Sequence, residues 1–257
     1  MSNPQDSTQR FSSRVANYVK YRPTYPPAVL DILTEHCDLI SDSLIADVGS
    51  GTGLLTELFL KHGNHVFGVE PNREMREAGE RLLAAYPNFT SVDGTAEATT
   101  LPDQIIDFVT AGQAFHWFDV AKTRPEFKRI LKPQGWVALV WNVRQTNATP
   151  FMREYEQLVH NYAIDIENTS QEYRVNEQVL TAFYGSGGYR QVNSAYRQVF
   201  DFAGVKGRLL SSSYMPDIGQ PTHTAMLEDL ATLFQTHQVN DAVAIEYETR
   251  VYFGHLN

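Results

Sequence analysis

The chain predicts an α/β fold, with helices on both faces of a doubly wound, mostly parallel sheet. Three observations carry this: short apolar runs alternate with helical patterns, a glycine-rich turn joins the first run to its helix, and an acid closes the second run. Residues 44–48 (Leu-Ile-Ala-Asp-Val) form an apolar strand that passes directly into Gly49-Ser50-Gly51-Thr52-Gly53. Leu54, Leu55, Leu58 and Phe59 then repeat at helical spacing. Glycines suit such a turn because the chain must bend sharply and bring backbone amides against a ligand, at a helix N-terminus whose N–H groups are unpaired.

The second strand, 65–69, ends at Glu70, 17 residues past Gly53. A carboxylate there can accept both hydroxyls of an adenosine ribose. A dinucleotide turn needs glycine or alanine at its sixth position, where this chain has Leu54, so pyrophosphate binding is disfavoured. Asp47, just ahead of the first glycine, would repel a pyrophosphate but can orient, directly or through water, the cationic amino group of a methionine moiety.

The remaining elements follow in order. A helix over 75–85 leads to a short strand at 89–92 and the loop Asp93-Gly94-Thr95-Ala96-Glu97. Residues 105–111 read as a buried strand, and Gly112-Gln113-Ala114-Phe115-His116-Trp117-Phe118 leaves its carboxyl end, where a doubly wound sheet places its site. A short helix at 125–131 stops at Lys132-Pro133-Gln134-Gly135, and 136–141 form the fifth strand.

The run from Asp47 to Gly53 resembles motif I of the class I S-adenosylmethionine-dependent methyltransferases. Residues 93–97 and the Lys-Pro-Gln-Gly turn resemble that family's third-strand loop and "LKPGG" segment. The resemblance implies a Rossmann-like sheet of seven strands with the last antiparallel, and S-adenosylmethionine as cofactor. It implies cofactor contacts from Asp47, Gly49, Ser50, Gly51, Glu70, Pro71, Thr95, Ala96, Glu97 and Gln113. Thr95 stands where many members carry Asp, which makes the Ala96 amide the expected holder of the adenine edge.

Ahead of the first helix, Tyr18-Val19-Lys20-Tyr21-Arg22-Pro23-Thr24-Tyr25-Pro26 is held extended by its prolines. Residues 1–26 are expected to act as a lid, with Arg22 presenting its planar fork to the methionine carboxylate. With the Phe-His-Trp-Phe stretch, this segment resembles the small-molecule branch that includes trans-aconitate methyltransferase. The resemblance spans residues 11–141; beyond them it is topological.

At 257 residues and 42% hydrophobic, the chain fits one elaborated domain. Its net charge of −9 and lack of a basic block argue against a nucleic-acid partner. One cysteine, Cys37, excludes an internal disulfide and a cysteine-based metal site. A polar start and no long apolar run make a cytoplasmic location, away from membranes, the expectation.

After Trp141, the positions Phe151, Met152, Tyr155, Leu158, Val159 and Tyr162 mark a helix, followed by a polar tract at 165–176 and a short apolar helix ending near Tyr184. The glycines at 185–188 read as a loop. A strand at 196–202, helices at 204–212 and 222–235, and an alternating strand through Ile245, Tyr247, Thr249, Val251 and Phe253 complete the chain. Residues 143–190 are expected to be a substrate-side insertion over the carboxyl edge of the sheet.

Direct transfer to a small-molecule methyl acceptor demands chiefly positioning. Tyr18, Tyr21, Trp117 and Trp141 can offer aromatic faces to a cationic methyl group, or pack the core. His116 is positioned either to act as a base or to orient the lid and substrate. A carboxylate acceptor needs no base; arginines would then matter, and Arg144, Arg153, Arg197 and Arg208 lie in the variable half, where isolated arginines are more often solvated surface charges. A methyltransferase of a protein or nucleic acid, and a non-catalytic adenosine-ligand module, remain as alternatives.

Overall fold

The structure, a computed structural model, describes residues 21–164, 176–212 and 214–256. Its elements in chain order are α1 (Ala28–Cys37), β1 (Leu44–Val48), α2 (Leu54–His62), β2 (His65–Val69), α3 (Arg73–Leu82), β3 (Phe89–Val92), β4 (Ile106–Gly112), α4 (Val120–Ile130), β5 (Leu131–Arg144), α5 (Pro150–Tyr162), α6 (Glu177–Tyr184), β6 (Arg190–Phe200), α7 (Phe202–Leu210), α8 (His223–His237) and β7 (Val243–Gly254). Single turns of 3₁₀ helix follow β4 at Phe115–Trp117 and α6 at Gly185–Gly187.

Seven strands make one sheet in the order β3-β2-β1-β4-β5-β7-β6. The first five pair in parallel, and β7 runs antiparallel to both β5 and β6. The expected architecture is therefore present, with the last strand antiparallel. Order reverses between β1 and β4, which opens a crevice at their carboxyl ends. β1 is buried along nearly its whole length, as a central parallel strand covered on both faces must be.

Two apolar layers cover the sheet. One joins α1 and α2 to the sheet through Val29, Leu33, Ile45, Phe59, Val66 and Phe253. The other brings α4 and α6 to the opposite face through Phe115, Phe127, Ile130, Trp141, Phe183 and Tyr184. Tyr184 donates its hydroxyl to the Tyr252 carbonyl (3.0 Å), so even the polar tip of this buried ring is satisfied.

A third cluster lies beyond the carboxyl edge. β5, β6 and β7 are much longer than β1–β3, and their register carries β7 from Gly254 opposite Val137 to Tyr247 opposite Arg144, and on to Val243 opposite Phe200 of β6. Against this overhang α5, α7 and α8 pack Met152, Tyr155, Val205, Leu209, Leu230 and Ile245 into a helical cap. The segment 143–190 is thus divided. Residues 143 and 144 belong to β5, α5 joins the cap, and α6 belongs to the layer beneath the sheet; the rest of the cap comes from residues 202–237. The division follows from where the apolar stripes can be buried, which helical spacing alone does not reveal. β6 also starts six residues earlier than the pattern indicated, because the edge strand is exposed at alternate positions and carries polar residues there.

Phe253 is fully buried, stacked on His36 at 5.6 Å and edge-on to Trp136 at 6.3 Å. Truncation leaves a cavity between strand and helix. Phe253→Ala should cost about 3–5 kcal/mol of unfolding free energy, read by urea titration; a loss within experimental error would mean that this layer does not hold the antiparallel strand to the sheet.

Candidate active site

Three glycines shape the turn after β1. Gly49, Gly51 and Gly53 all have positive φ, at 69°, 59° and 88°. At Gly49 a side chain is excluded twice over, because an added Cβ would lie 2.6 Å from the Ala114 methyl carbon. This close approach sets the turn beside the 3₁₀ segment leaving β4. The amides of Gly49 and Ser50 both donate to the Val69 carbonyl, which ties the turn to the end of β2.

Glu70 sits at that junction. One carboxylate oxygen accepts from the Gly51 amide (2.9 Å) and the other from the Asn72 amide (2.8 Å). Burial raises its pKa, opposed by those two amides and by Arg76. With one donor on each oxygen, the carboxylate keeps acceptor capacity for two hydroxyls. Pro71 follows, and its carbonyl and that of Glu70 both receive the Arg76 guanidinium, at 3.4 and 2.8 Å.

Asp47 is buried under the turn. It accepts from Thr56 Oγ1 (2.6 Å) on α2 and Thr110 Oγ1 (3.1 Å) on β4. Burial pushes its carboxyl up to about 7, against the two hydroxyl hydrogen bonds and with help from the nearby Glu70 charge. Thr56 and Thr110 were not singled out from the sequence; a hydroxyl at the end of β4 and another inside an apolar helix stripe are their only signals. A narrow cleft opens above, lined by Tyr25, Asp47, Gly49, Ser50, Leu55 and Gly112.

The other expected residues are distributed around this cleft. Gln113 has a left-handed backbone (φ 54°), donates its amide to Val140 and its Nε2 to the Asn142 carbonyl (3.0 Å), and leaves Oε1 buried without a partner. Thr95 pairs through its backbone with Ala98, forming a tight turn in which Ala96 is buried. Glu97 accepts from the Asp119 amide (2.9 Å), where the sequence pointed to a ligand contact. Asp119 in turn caps α4, so Glu97 anchors the start of that helix. His116 lies in the 3₁₀ turn with its ring 4.9 Å from that of Trp117. Trp141 belongs to the core beside Phe115 and Tyr252, with its indole Nε1 buried and unpartnered.

The segment expected to act as a lid meets the cleft at Tyr25. Tyr25 is buried with its hydroxyl over Gly112, where an added Cβ would come within 2.5 Å of it. Asn142 Nδ2 donates to the Thr24 carbonyl (3.0 Å), and the Thr24 and Tyr196 hydroxyls lie 2.7 Å apart. Tyr21 lies against Gly207 of α7, and Arg22 donates to the Ser211 carbonyl at 3.1 Å. Both residues are therefore docked on the cap in this structure. Tyr18 falls outside the described residues.

Residues 46–139 match the methyltransferase-domain family. Across the fold, a candidate type II methyltransferase from Anaeromyxobacter dehalogenans superposes with a TM-score of 0.67 at 18% identity, covering 91% of this chain and 97% of that one. The matched region contains the glycine turn, Glu70 and the β4 end, and the whole sheet shares its fold with that solved structure. An uncharacterized methyltransferase of Mycobacterium tuberculosis is 39% identical over 140 residues, covering 54% of this chain and 55% of the relative. One from Schizosaccharomyces pombe is 33% identical over 150 residues, covering 58% of each. The chain thus spans little more than half the length of the curated relatives it matches, and their names specify no acceptor. Among the described residues, no cluster of His, Cys, Asp or Glu is arranged to hold a metal, and no helix is long and apolar enough to cross a membrane.

The Asp47 carboxyl gives this protein a titration that can be tested. Unfolded, it releases its proton near 3.8; folded, it holds it until about 7. The native state therefore binds the extra proton across that window, and stability falls as pH rises from about 4 to about 7. Asp47→Asn should flatten this part of the stability–pH profile in denaturant titrations; an unchanged slope would show that Asp47 is ionised throughout.

Proposed function

We propose that this protein transfers a methyl group from S-adenosylmethionine to a small-molecule acceptor. The observation that carries the reading is the Glu70 carboxylate, pinned by the Gly51 and Asn72 amides beside a glycine turn that a Cβ would fill. Bound S-adenosylmethionine supplies an electrophilic methyl on a sulfonium, which an acceptor oxygen, nitrogen or carbon displaces in line, leaving S-adenosylhomocysteine.

The residues present fit that donor. Glu70 would hold the ribose hydroxyls and the Ala96 amide the adenine edge, while the turn, its Gly49–Gly51 amides already used within the protein, would give the methionine end close approach to a backbone without Cβ atoms. Pro71, Ser50, Thr95 and Glu97 border this path. The buried, unpartnered Gln113 Oε1 is an acceptor awaiting a donor. Asp47 faces the cleft with a carboxyl that a cation would deprotonate. Arg22 is one lid movement from the cleft, since Tyr25, three residues on, already lines it. The chain's contribution to rate is positioning and exclusion of water: the Tyr25 ring and the lid close the cleft, and Trp117, with His116 beside it, borders the acceptor side. Imidazole at His116 can accept a proton from a hydroxyl or amine acceptor. The net charge of −9 supports a small acceptor over a nucleic acid. The lid sequence and the Phe-His-Trp-Phe stretch favour the branch that includes trans-aconitate methyltransferase.

Calorimetric titration should show binding of S-adenosylmethionine and S-adenosylhomocysteine but not NAD. Glu70→Ala should lose about 1.5–3 kcal/mol for each charged hydrogen bond removed. In buffers of differing ionisation enthalpy near neutral pH, S-adenosylmethionine binding should release protons, and Asp47→Asn should abolish the release. With methyl-labelled donor and a cell extract, label should enter the dialysable fraction. Label confined to macromolecules would move the acceptor class to protein or nucleic acid, and donor binding without any transfer would leave only a binding module.

A further inference from the structure

Arginines are expensive to bury without a counter-anion. Two of them, Arg144 at the end of β5 and Arg208 on α7, lie together inside the cap. Arg208 is almost wholly buried and donates to the Tyr247 hydroxyl (3.0 Å) and to the hydroxyls of Ser211 (3.4 Å) and Ser212 (3.2 Å). These are neutral groups. Arg144 donates to the Tyr214 hydroxyl (3.0 Å) and to Glu156 (2.8 Å), packs over the Tyr155 ring at 6.0 Å, and keeps its Nε buried without a partner. Among the described residues Glu156 is the one carboxylate paired with either guanidinium, and it also meets the exposed imidazole of His160 at 3.6 Å. Both guanidinium groups stay charged at any working pH. Among the described residues, and with the Tyr214 phenol protonated, the cluster therefore carries one more positive than negative charge in a site largely shielded from water.

Tyr214 reports the same field. Burial alone would raise its phenol, yet Arg144 and Arg208 draw it down to about 7 from its usual 10. The phenolic oxygen marks a place where a negative oxygen is strongly stabilised. Of the other arginines of the variable half, Arg197 is largely exposed and pairs with Glu246, and Arg153 reaches only a loop carbonyl, so neither resembles this pair.

The cluster is linked to the cleft through β5 and the segment before α1. Arg144 follows Asn142 by two residues on the same face of β5, about 7 Å farther along the strand. Asn142 is itself joined to Gln113 at the end of β4 and to Thr24 of the lid. The lid's Arg22 donates to the carbonyl of Ser211, the residue whose hydroxyl receives Arg208. Cleft, lid and cluster thus meet at one turn of the cap.

We infer that Arg144, Arg208 and Tyr214 form the recognition site for a carboxylate group of the methyl acceptor, held about one short carbon chain from the donor cleft. This rests on the transferase reading above for the word acceptor, but the anion site itself does not. The planar guanidinium edge suits a carboxylate. Such a group would balance the buried charge and take over from Tyr214 as the partner of Arg144, so that the phenol regains its proton.

The test uses that proton. The full chain, with and without S-adenosylhomocysteine, is held at mildly alkaline pH and constant ionic strength, and the ultraviolet tyrosinate band is followed; Tyr214→Phe should remove the band and so assign it. Succinate should suppress it saturably, while neutral succinamide should not. Arg144→Gln and Arg208→Gln also remove the charge that ionises the phenol, so their succinate response is read by calorimetry; each should weaken it on the order of tenfold to a hundredfold, the loss of one charge-assisted hydrogen bond, with S-adenosylhomocysteine affinity unchanged. Arg208 is the more deeply buried and its variant can fail to fold, so the half-buried Arg144 carries the decision. No saturable response to succinate, an Arg144→Gln response at wild-type concentrations, or a response to inorganic phosphate and not to succinate would each overturn the assignment. Succinate binding without S-adenosylhomocysteine binding would sustain the carboxylate site and sink the transferase reading; the reverse result would do the opposite.

Discussion

Most of what the carboxyl edge can do depends on how closely the turn after β1 approaches the segment after β4. Gly49 and Ala114 meet at a separation that any Cβ on Gly49 would close, and the Phe118 ring packs at the same point. That contact exists only because Gly49 takes a left-handed φ that costs a glycine little and a branched residue much. It brings the turn amides, the Asp47 carboxyl beneath them and the His116–Trp117 turn to one side of the crevice. Glu70 then locks the turn from the β2 side by holding the Gly51 amide. Two strand ends and one loop are fixed relative to one another without a single salt bridge.

The lid and cap add a second layer of constraint. Three lid residues contact three different parts of the molecule: Arg22 the end of α7, Thr24 the end of β5 and β6, and Tyr25 the end of β4. Asn142 is central, since its side chain accepts from Thr249, donates to the lid and its carbonyl accepts from Gln113. A buried, fully used amide of this kind specifies geometry more than it stabilises, because any rearrangement strands polar groups away from water. Lid position and cap position are therefore linked through β5. An acceptor that pairs with the cap arginines and a donor that occupies the cleft would act on the same strand end.

Much of this was legible in the chain. The parallel half of the sheet could be read because buried parallel strands are continuous apolar runs, and because glycine turns and a strand-ending acid have few other uses at those spacings. Motif residues from Asp47 to Glu70 are local in sequence, so the turn that joins them could be inferred from them. The last strand was equally clear from its strict alternation. Less visible were partners supplied from a distance: Thr110 on Asp47, Asn142 on Gln113, and Gly207 under Tyr21 are separated by tens or hundreds of residues.

The sequence by itself determined the order of strands and helices, the glycine turn with its acid, and the family that these resemble, because each of these rests on short-range periodicity and backbone conformational preference. Tertiary structure decided which side chains became structural and which were left charged in the interior. Glu97, chosen from its motif position, also accepts from the amide of Asp119, the residue that caps α4. Arg144 and Arg208, which as isolated residues look like solvated surface charges, are buried together 64 residues apart in the chain. The reason is physical: the energy of a charge is set by its solvation and by the groups that surround it in space, and only the closed packing of α5, α7 and α8 on the long strands removes the water.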